Sequence, residues 1–193
     1  MNVRFKIIIC CSLLIATIYS GFPHSLQSQT NNSTAKYDRS LFGRWSDTDG
    51  DCQNMRHELL LERSTNIVTL SENGCRAVGG KWLDPYTGEM FIDSGQLDID
   101  HLVPLKYSWE RGAHSWTSEK RIQFSNDPAN LFAVQKSVNR QKAAFGPSDW
   151  LPPNIDYRCQ YIRNFQKIVG LYELKQTPSE LQEIQKREIK SCN

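Results

Sequence analysis

The sequence of 193 residues lacks the features that define several protein classes. It has no internal repeat, which excludes collagen-like and coiled-coil proteins. Its 23 basic and 21 acidic residues nearly balance, so any surface that binds anions must be local. With 39% hydrophobic residues and 10% aromatic residues the chain can build a core, which excludes wholesale disorder. The length suits one domain.

One long hydrophobic run is present, at the start of the chain, and no second segment could span a membrane. Arg4 and Lys6 precede an apolar stretch over residues 7–19, and residues 1–20 contain no acidic side chain. The stretch is short for a membrane span, so we predict a signal peptide over residues 1–20 that is removed. We therefore expect a secreted or periplasmic protein without stable membrane association. Removing two of the 23 basic residues leaves 21 against 21 acidic ones.

The rest of the chain divides into a leader and a folded part. Residues 21–36 are polar and lack hydrophobic periodicity, which predicts a flexible leader. We expect a single domain over residues 37–193. Its hydrophobic patterns predict short strands and helices in succession, among them strands over residues 96–103 and 130–134, a helix over residues 136–143 and C-terminal helices over residues 155–192.

Four cysteines remain after removal of the signal peptide, and export favours disulfides over free thiols. Four cysteines allow three pairings. Separation along the chain favours Cys52 with Cys75 and Cys159 with Cys192. A structural zinc site is the alternative, but the chain has no close CxxC pair.

The densest group of reactive side chains is Asp98, Asp100 and His101, on a predicted strand that ends at Pro104. A carboxylate is a hard ligand for Mg²⁺, and an imidazole can take a proton from water near neutral pH. Both roles suit metal-assisted hydrolysis of a phosphodiester. On a regular strand, however, the two aspartates share a face that His101 does not. On these residues alone, we favour an exposed strand end with solvated carboxylates and a histidine bonded to the backbone.

Three motifs in sequence order resemble the HNH nuclease superfamily. They are Asp-His before a Val-Pro step at residues 100–104, Asn130 on a strand, and Asn-Arg-x-Lys at residues 139–142. Further segments resemble exported bacterial proteins related to the nuclease module of GmrSD-type restriction enzymes, namely residues 45–52, 84–88, 124–128 and 150–154. The resemblance implies an α+β fold with a ββα-metal (HNH, His-Me finger) core, stapled by disulfides. The implied catalytic core spans about residues 96–145.

The resemblance also implies a role for each matching residue. His101 would be the general base, and Asp100 and Asn139 would be metal ligands. Asp98 would support them or act as a further ligand, and Asn130 would brace the hairpin or orient His101. The implied cofactor is one divalent cation, Mg²⁺ with Mn²⁺ as the alternative, because phosphate oxygens and water complete its octahedron. An asparagine at position 139, where other members carry a second histidine, argues against a tight zinc site.

Basic residues near these motifs are candidates for binding the backbone of a nucleic acid. They are Lys106, Lys136, Arg140 and Lys142. Such phosphate contacts are independent of sequence, and no element has the pattern of a base-reading helix, so we expect low sequence specificity. DNA is the expected partner, RNA is the alternative, and a monomer is the default state. A charged helix face that is only solvated is the competing interpretation.

A second acidic segment lies near the first cysteine of the folded part. Residues 47–51 alternate acidic side chains, but they lack the rest of an EF-hand loop, so we favour a structural loop held by Cys52 over a calcium site. Asp51 is the expected cap of a helix over residues 53–62. On that helix, Arg56 and Glu58 either pair with these acids or approach the candidate catalytic residues.

The expected function is therefore an exported endonuclease that depends on a divalent metal and hydrolyses phosphodiester bonds of DNA, or of RNA. The near-neutral mature charge suits an enzyme that must release its product. One alternative is a non-catalytic extracellular module that binds nucleic acid or a partner on the HNH scaffold. The other is a disulfide-stapled interaction module whose resemblance is accidental.

Overall fold

A computed structural model describes residues 36–193 of the chain. The predicted signal peptide, and all of the predicted leader except its last residue, lie outside the described residues. Within residues 36–193 the fold is mixed, with six α-helices and two small antiparallel sheets, which confirms the predicted α+β class. No helix in this part of the chain is long and apolar enough to cross a membrane.

The first sheet has three strands in the order β1, β2, β3. The strands are β1 (Thr69–Leu70), β2 (Ala77–Leu83) and β3 (Met90–Asp93). A turn joins β2 to β3, in which the Asp84 carboxylate accepts hydrogen bonds from the backbone of Tyr86 and the hydroxyl of Thr87. Helix α1 (Met55–Arg63) packs on this sheet, and the indole of Trp82 donates to the carbonyl of Leu60.

The predicted cap of α1 is wrong. Asn54, not Asp51, accepts the hydrogen bond from the backbone of Arg56 and caps the helix. The Asp51 carboxylate instead accepts from the backbone of Gln53, which closes a turn before the helix begins. Aspartate and asparagine are both common cap residues, and the turn at residues 51–53 brings Asn54 rather than Asp51 to the start of the helix.

The second sheet pairs β4 (Leu97–His101) with β5 (Leu131–Gln135), and helix α4 (Lys136–Lys142) follows β5 directly. Alternation along β4 buries Leu97 and Ile99 in a core against α1 and the first sheet. The other face of β4 lies against α4, where Asn139 contacts Asp98 and Lys142 contacts Asp100. The result is a strand, strand, helix unit with polar side chains between strand and helix.

The remaining helices build a second core that is rich in aromatic side chains. They are α2 (Leu105–Glu110), α3 (Ser118–Ser125), α5 (Arg158–Leu171) and α6 (Pro178–Ser191). The rings of Tyr107 and Phe165 meet edge to face, and Tyr161 meets Tyr86 in the same way. Thr177 and Glu180 form a capping box at the start of α6. This core fixes α2 and α3, which lie between β4 and β5 in the sequence.

Two disulfides fasten the described chain near its two ends. Cys52 is bonded to Cys75, and Cys159 to Cys192, which is the pairing that sequence separation favours. They close loops of 23 and 33 residues. By loop-closure entropy each stabilises the fold by about 3 to 4 kcal/mol. The first holds the loop before α1 to the start of β2, and the second joins α5 to the end of α6.

Candidate active site

A cleft of about 500 Å³ lies over the end of strand β4. Asp98, Asp100 and His101 of β4 and Asn139 of α4 all line it. The two aspartates and His101 lie on opposite faces of the strand, and they can share one cleft because β4 ends at His101. The structure therefore brings together the four side chains to which the sequence assigns a base or a metal-ligand role.

His101 is held as a neutral imidazole. Its Nε2 lies 2.8 Å from the backbone carbonyl of Ser125, and a carbonyl can only accept, so Nε2 carries the hydrogen and Nδ1 the lone pair. Burial lowers the pKa of His101 to about 3, which keeps the ring uncharged at neutral pH. The indole of Trp45 stacks nearly parallel to the ring at 5.4 Å between centroids. The ring is thus oriented, and Nδ1 keeps its lone pair.

Asp100 is one half of a buried ion pair. The ammonium of Lys142 lies 2.8 Å from one carboxylate oxygen, and the hydroxyl of Tyr86 donates to the same oxygen at 2.7 Å. Lys142 also donates to the backbone carbonyl of His101 at 2.8 Å. Burial raises the pKa of Asp100 and lowers the pKa of Lys142, and the attraction between the two opposes both changes. The negative charge of Asp100 is thus matched inside the protein.

The four candidate phosphate-binding residues occupy different places. Lys142 is fully buried, so its ammonium cannot reach a phosphate on the surface, and the expected contact does not fit this structure. Lys106 is exposed and lines the cleft. Lys136 and Arg140 lie on α4 outside the lining of the cleft. Among the four, Lys106 is therefore the one that is exposed in the cleft and can meet a phosphate beside the catalytic candidates.

Asp98 and Asn139 form the more open pair of candidate ligands. The amide nitrogen of Asn139 donates to a carboxylate oxygen of Asp98 at 3.1 Å, and both side chains are only partly buried. A carboxylate and an amide carbonyl are hard oxygen donors of the kind that Mg²⁺ takes. The donor set at this place fits a small divalent cation.

Arg56 of α1 lines the same cleft, which answers for this residue the choice that the sequence left open. Its guanidinium donates to the backbone carbonyls of Ser94 and Leu97, at 3.3 and 3.0 Å. Burial lowers the pKa of Arg56, and the charge of Asp98 opposes that shift. The acids at residues 47–51 lie elsewhere: their carboxylate oxygens come within 4.8 Å of one another, and they accept hydrogen bonds from the backbone of their own loop.

Asn130 braces the chain that follows the candidate base. Its side-chain amide accepts from the backbone N–H of Val103 at 2.8 Å and donates to the backbone carbonyl of Val103. The backbone carbonyl of Asn130 accepts from the backbone N–H of Leu102. The carbonyl of Ser125 and the indole of Trp45 position the ring of His101.

Sequence reasoning assigned no site role to Ser125, Trp45 or Tyr86. Each lies in a segment that the resemblance singled out: residues 45–52, 84–88 and 124–128. That resemblance was the only signal in the sequence, because these residues lie far from their partners on β4. Tyr86 is 14 positions from Asp100, and Trp45 is 56 positions from His101.

Comparison with known proteins identifies a family and a secreted relative. The chain matches the family model of the C-terminal domain of GmrSD restriction endonucleases over residues 55–187. An uncharacterized secreted protein from Arthroderma benhamiae is 38% identical over 146 residues, which cover 75% of this chain and 70% of the relative. No solved structure matches the chain.

The matched range contains β4, β5 and α4 with all four catalytic candidates, and this family points to a nuclease-related function. The secreted relative and the two disulfides agree with export to an oxidising compartment. The chain is an exported member of the family of GmrSD restriction endonuclease C-terminal domains.

Proposed function

We propose that this protein is an endonuclease that depends on a divalent metal and hydrolyses phosphodiester bonds of DNA, with RNA as the alternative substrate. One observation carries the proposal. A single cleft combines the neutral, oriented imidazole of His101 with the oxygen donors of Asp98 and Asn139. The order of β4, β5 and α4 supports an HNH core of the ββα-metal type, and the family supports a nuclease.

His101 is the proposed general base. Its Nδ1 takes a proton from a water molecule while the oxygen of that water attacks phosphorus and the bond to the leaving sugar oxygen breaks. The leaving oxygen takes a proton from solvent. Since Ser125 fixes the tautomer, the nitrogen that accepts the proton is set before substrate binds. A positioned base of this kind contributes about 10²- to 10⁴-fold to a rate.

Asp98 and Asn139 are the residues that would hold the metal ion, because they are adjacent, each carries an oxygen donor, and both line the cleft. Asp100 borders the same place, but Lys142 already matches its charge, so we assign it the weaker part in binding a cation. A bound Mg²⁺ or Mn²⁺ supplies polarisation of the phosphate and stabilisation of the leaving oxygen.

Low sequence specificity follows from the character of the charged groups around the cleft. Arg56 and Lys106 line it as cations that suit phosphate oxygens rather than base edges. Helix α4, which lies beside the cleft, is only seven residues long.

A metal-dependence assay with several substrates tests the proposal. Supercoiled plasmid, single-stranded DNA and RNA are incubated with the oxidised protein in Mg²⁺, Mn²⁺ or EDTA. We expect cleavage of DNA that EDTA abolishes and that Asn139→Ala reduces at limiting metal. Asn66→Ala is the matched control, because Asn66 is exposed on the loop before β1. If every substrate were cleaved in EDTA at the same rate as in Mg²⁺, the result would contradict the proposal.

A non-catalytic module that binds nucleic acid is the second candidate. The observation that favours it is the ion pair of Asp100 with Lys142, which balances one of the cleft's two negative charges without any metal. Under this alternative, wild type and His101→Ala bind DNA equally and neither cleaves it in any metal.

A further inference from the structure

We propose that residues 39–45, which precede the family match, form a second part of the substrate site, in which Arg39 and Arg44 bind backbone phosphates next to the phosphate that reacts at His101. This inference rests on the proposed nuclease function and deepens it. It assigns a nucleic-acid strand, recognised through its phosphates, to a surface whose two arginines lie outside the matched residues 55–187.

The geometry that carries it is the meeting of two clefts at the candidate base. A second cleft, of about 380 Å³, lies beside the first. Arg39, Trp45 and His101 line both clefts, and Arg44 lines the second alone. A strand whose reactive phosphate lies at His101 in the first cleft can therefore continue into the second.

The two clefts differ in the charges that line them. The first contains the carboxylates of Asp98 and Asp100 together with the cations Arg39, Arg56 and Lys106. The second is lined by two arginines and by no acidic residue. Within residues 36–193, neither Arg39 nor Arg44 takes part in an ion pair, and both are exposed. Two uncompensated cations in a concave site attract an anion and need no metal to do so.

The backbone that presents these arginines is held by the residues that also hold His101. The side chain of Asn126 accepts from the backbone of Ser46 at 2.8 Å and donates to the carbonyl of Arg44 at 3.2 Å. The hydroxyl of Ser125 donates to the carbonyl of Phe42 at 2.6 Å, while the carbonyl of Ser125 binds the imidazole. The arginine segment and the candidate base thus share one anchor at the end of α3.

Gly43 allows the chain to pass from the core to the second cleft. Phe42 is buried, Arg44 is exposed, and Gly43 between them has φ 72°, in the left-handed region that favours glycine. A Cβ at this position would lie 3.0 Å from the Cγ1 of Ile122. The turn that presents Arg44 therefore requires glycine.

DNA binding without turnover tests the inference. The affinity of wild type for a fluorescent duplex is measured in EDTA at several salt concentrations, beside Arg39→Ala, Arg44→Ala and the double variant. We expect each single change to weaken binding about three- to tenfold and to reduce the slope of log affinity against log salt by about 0.9. Arg76→Ala is the matched control, because Arg76 is exposed and lines neither cleft.

The outcomes separate this inference from the nuclease proposal. If wild type cleaves DNA and both arginine variants bind and cleave as it does, the inference is wrong and the nuclease proposal stands. An equal loss in Arg76→Ala also overturns the inference, because it indicates a general charge effect. Displacement of the duplex by millimolar inorganic phosphate at constant ionic strength overturns it in favour of a free-anion site. Absence of both binding and cleavage in wild type overturns both proposals.

Discussion

The two faces of strand β4 differ in what their polar side chains touch. Toward α4, Asp100 is paired with Lys142 inside the protein, and Asp98 meets Asn139 at the open cleft. On the opposite face His101 lies neutral against Trp45 and the carbonyl of Ser125. Neighbouring residues of one motif thus divide between holding the fold and carrying the proposed chemistry. Strand alternation and burial decide which residue does which.

Breaking the buried ion pair should give the largest loss of stability. Lys142→Met leaves the Asp100 carboxylate buried without its counterion, and we expect the free energy of unfolding to fall by about 3 to 5 kcal/mol. Urea unfolding of the oxidised protein measures this.

The control for that variant removes both charges. In Asp100→Asn with Lys142→Met no unpaired charge remains, so we expect most of the stability to return. A double variant as unstable as Lys142→Met alone would show that packing of the lysine chain, not charge, stabilises the α4 face.

The next largest effect should come from loss of the hydrogen bond that the hydroxyl of Tyr86 donates to the carboxylate of Asp100. Tyr86→Phe keeps the buried ring and removes only this donor, so we expect a loss of about 1.5 to 3 kcal/mol in unfolding free energy. Tyr37→Phe, on a half-buried tyrosine, is the matched control. Equal melting temperatures for Tyr86→Phe and wild type would contradict the role of Tyr86 in holding Asp100.

Asp98 should show the opposite behaviour, with a small effect on stability and a clear effect on metal use. Asp98→Asn keeps the shape of the side chain and removes its negative charge from the pair that Asp98 forms with Asn139. We therefore expect the Mg²⁺ concentration for half-maximal cleavage to rise about tenfold. Titration of cleavage rate against Mg²⁺ measures it. If the metal requirement stays that of wild type while the protein loses stability, then Asp98 holds the fold and Asp100 is the metal ligand.

Much of this arrangement could be predicted from the sequence, because it depends on local patterns. The order of β4, β5 and α4 followed from hydrophobic runs and turn residues, and the disulfides are those that chain separation favours. Strand β3 was not predicted, since its four residues alternate too briefly to stand out from the preceding turn.

The environment of each polar side chain could not be predicted in the same way. A lysine on a short polar helix suggests an exposed residue, yet Lys142 is buried because Asp100, 42 positions earlier, lies opposite it. Trp45 likewise reaches His101 through the long-range contacts of α3. Such pairings depend on tertiary packing, which the sequence pattern of either segment does not contain.

The most direct test of His101 as the base is the rate of metal-dependent plasmid nicking by His101→Ala, compared with His114→Ala, in samples that melt at the same temperature as wild type. His114 is an exposed histidine that lines neither cleft, so its variant controls for the loss of an imidazole. We predict that His101→Ala nicks at least about 100-fold more slowly and that His114→Ala nicks at the wild-type rate. Equal rates for the two variants would contradict the assignment of His101 as the base.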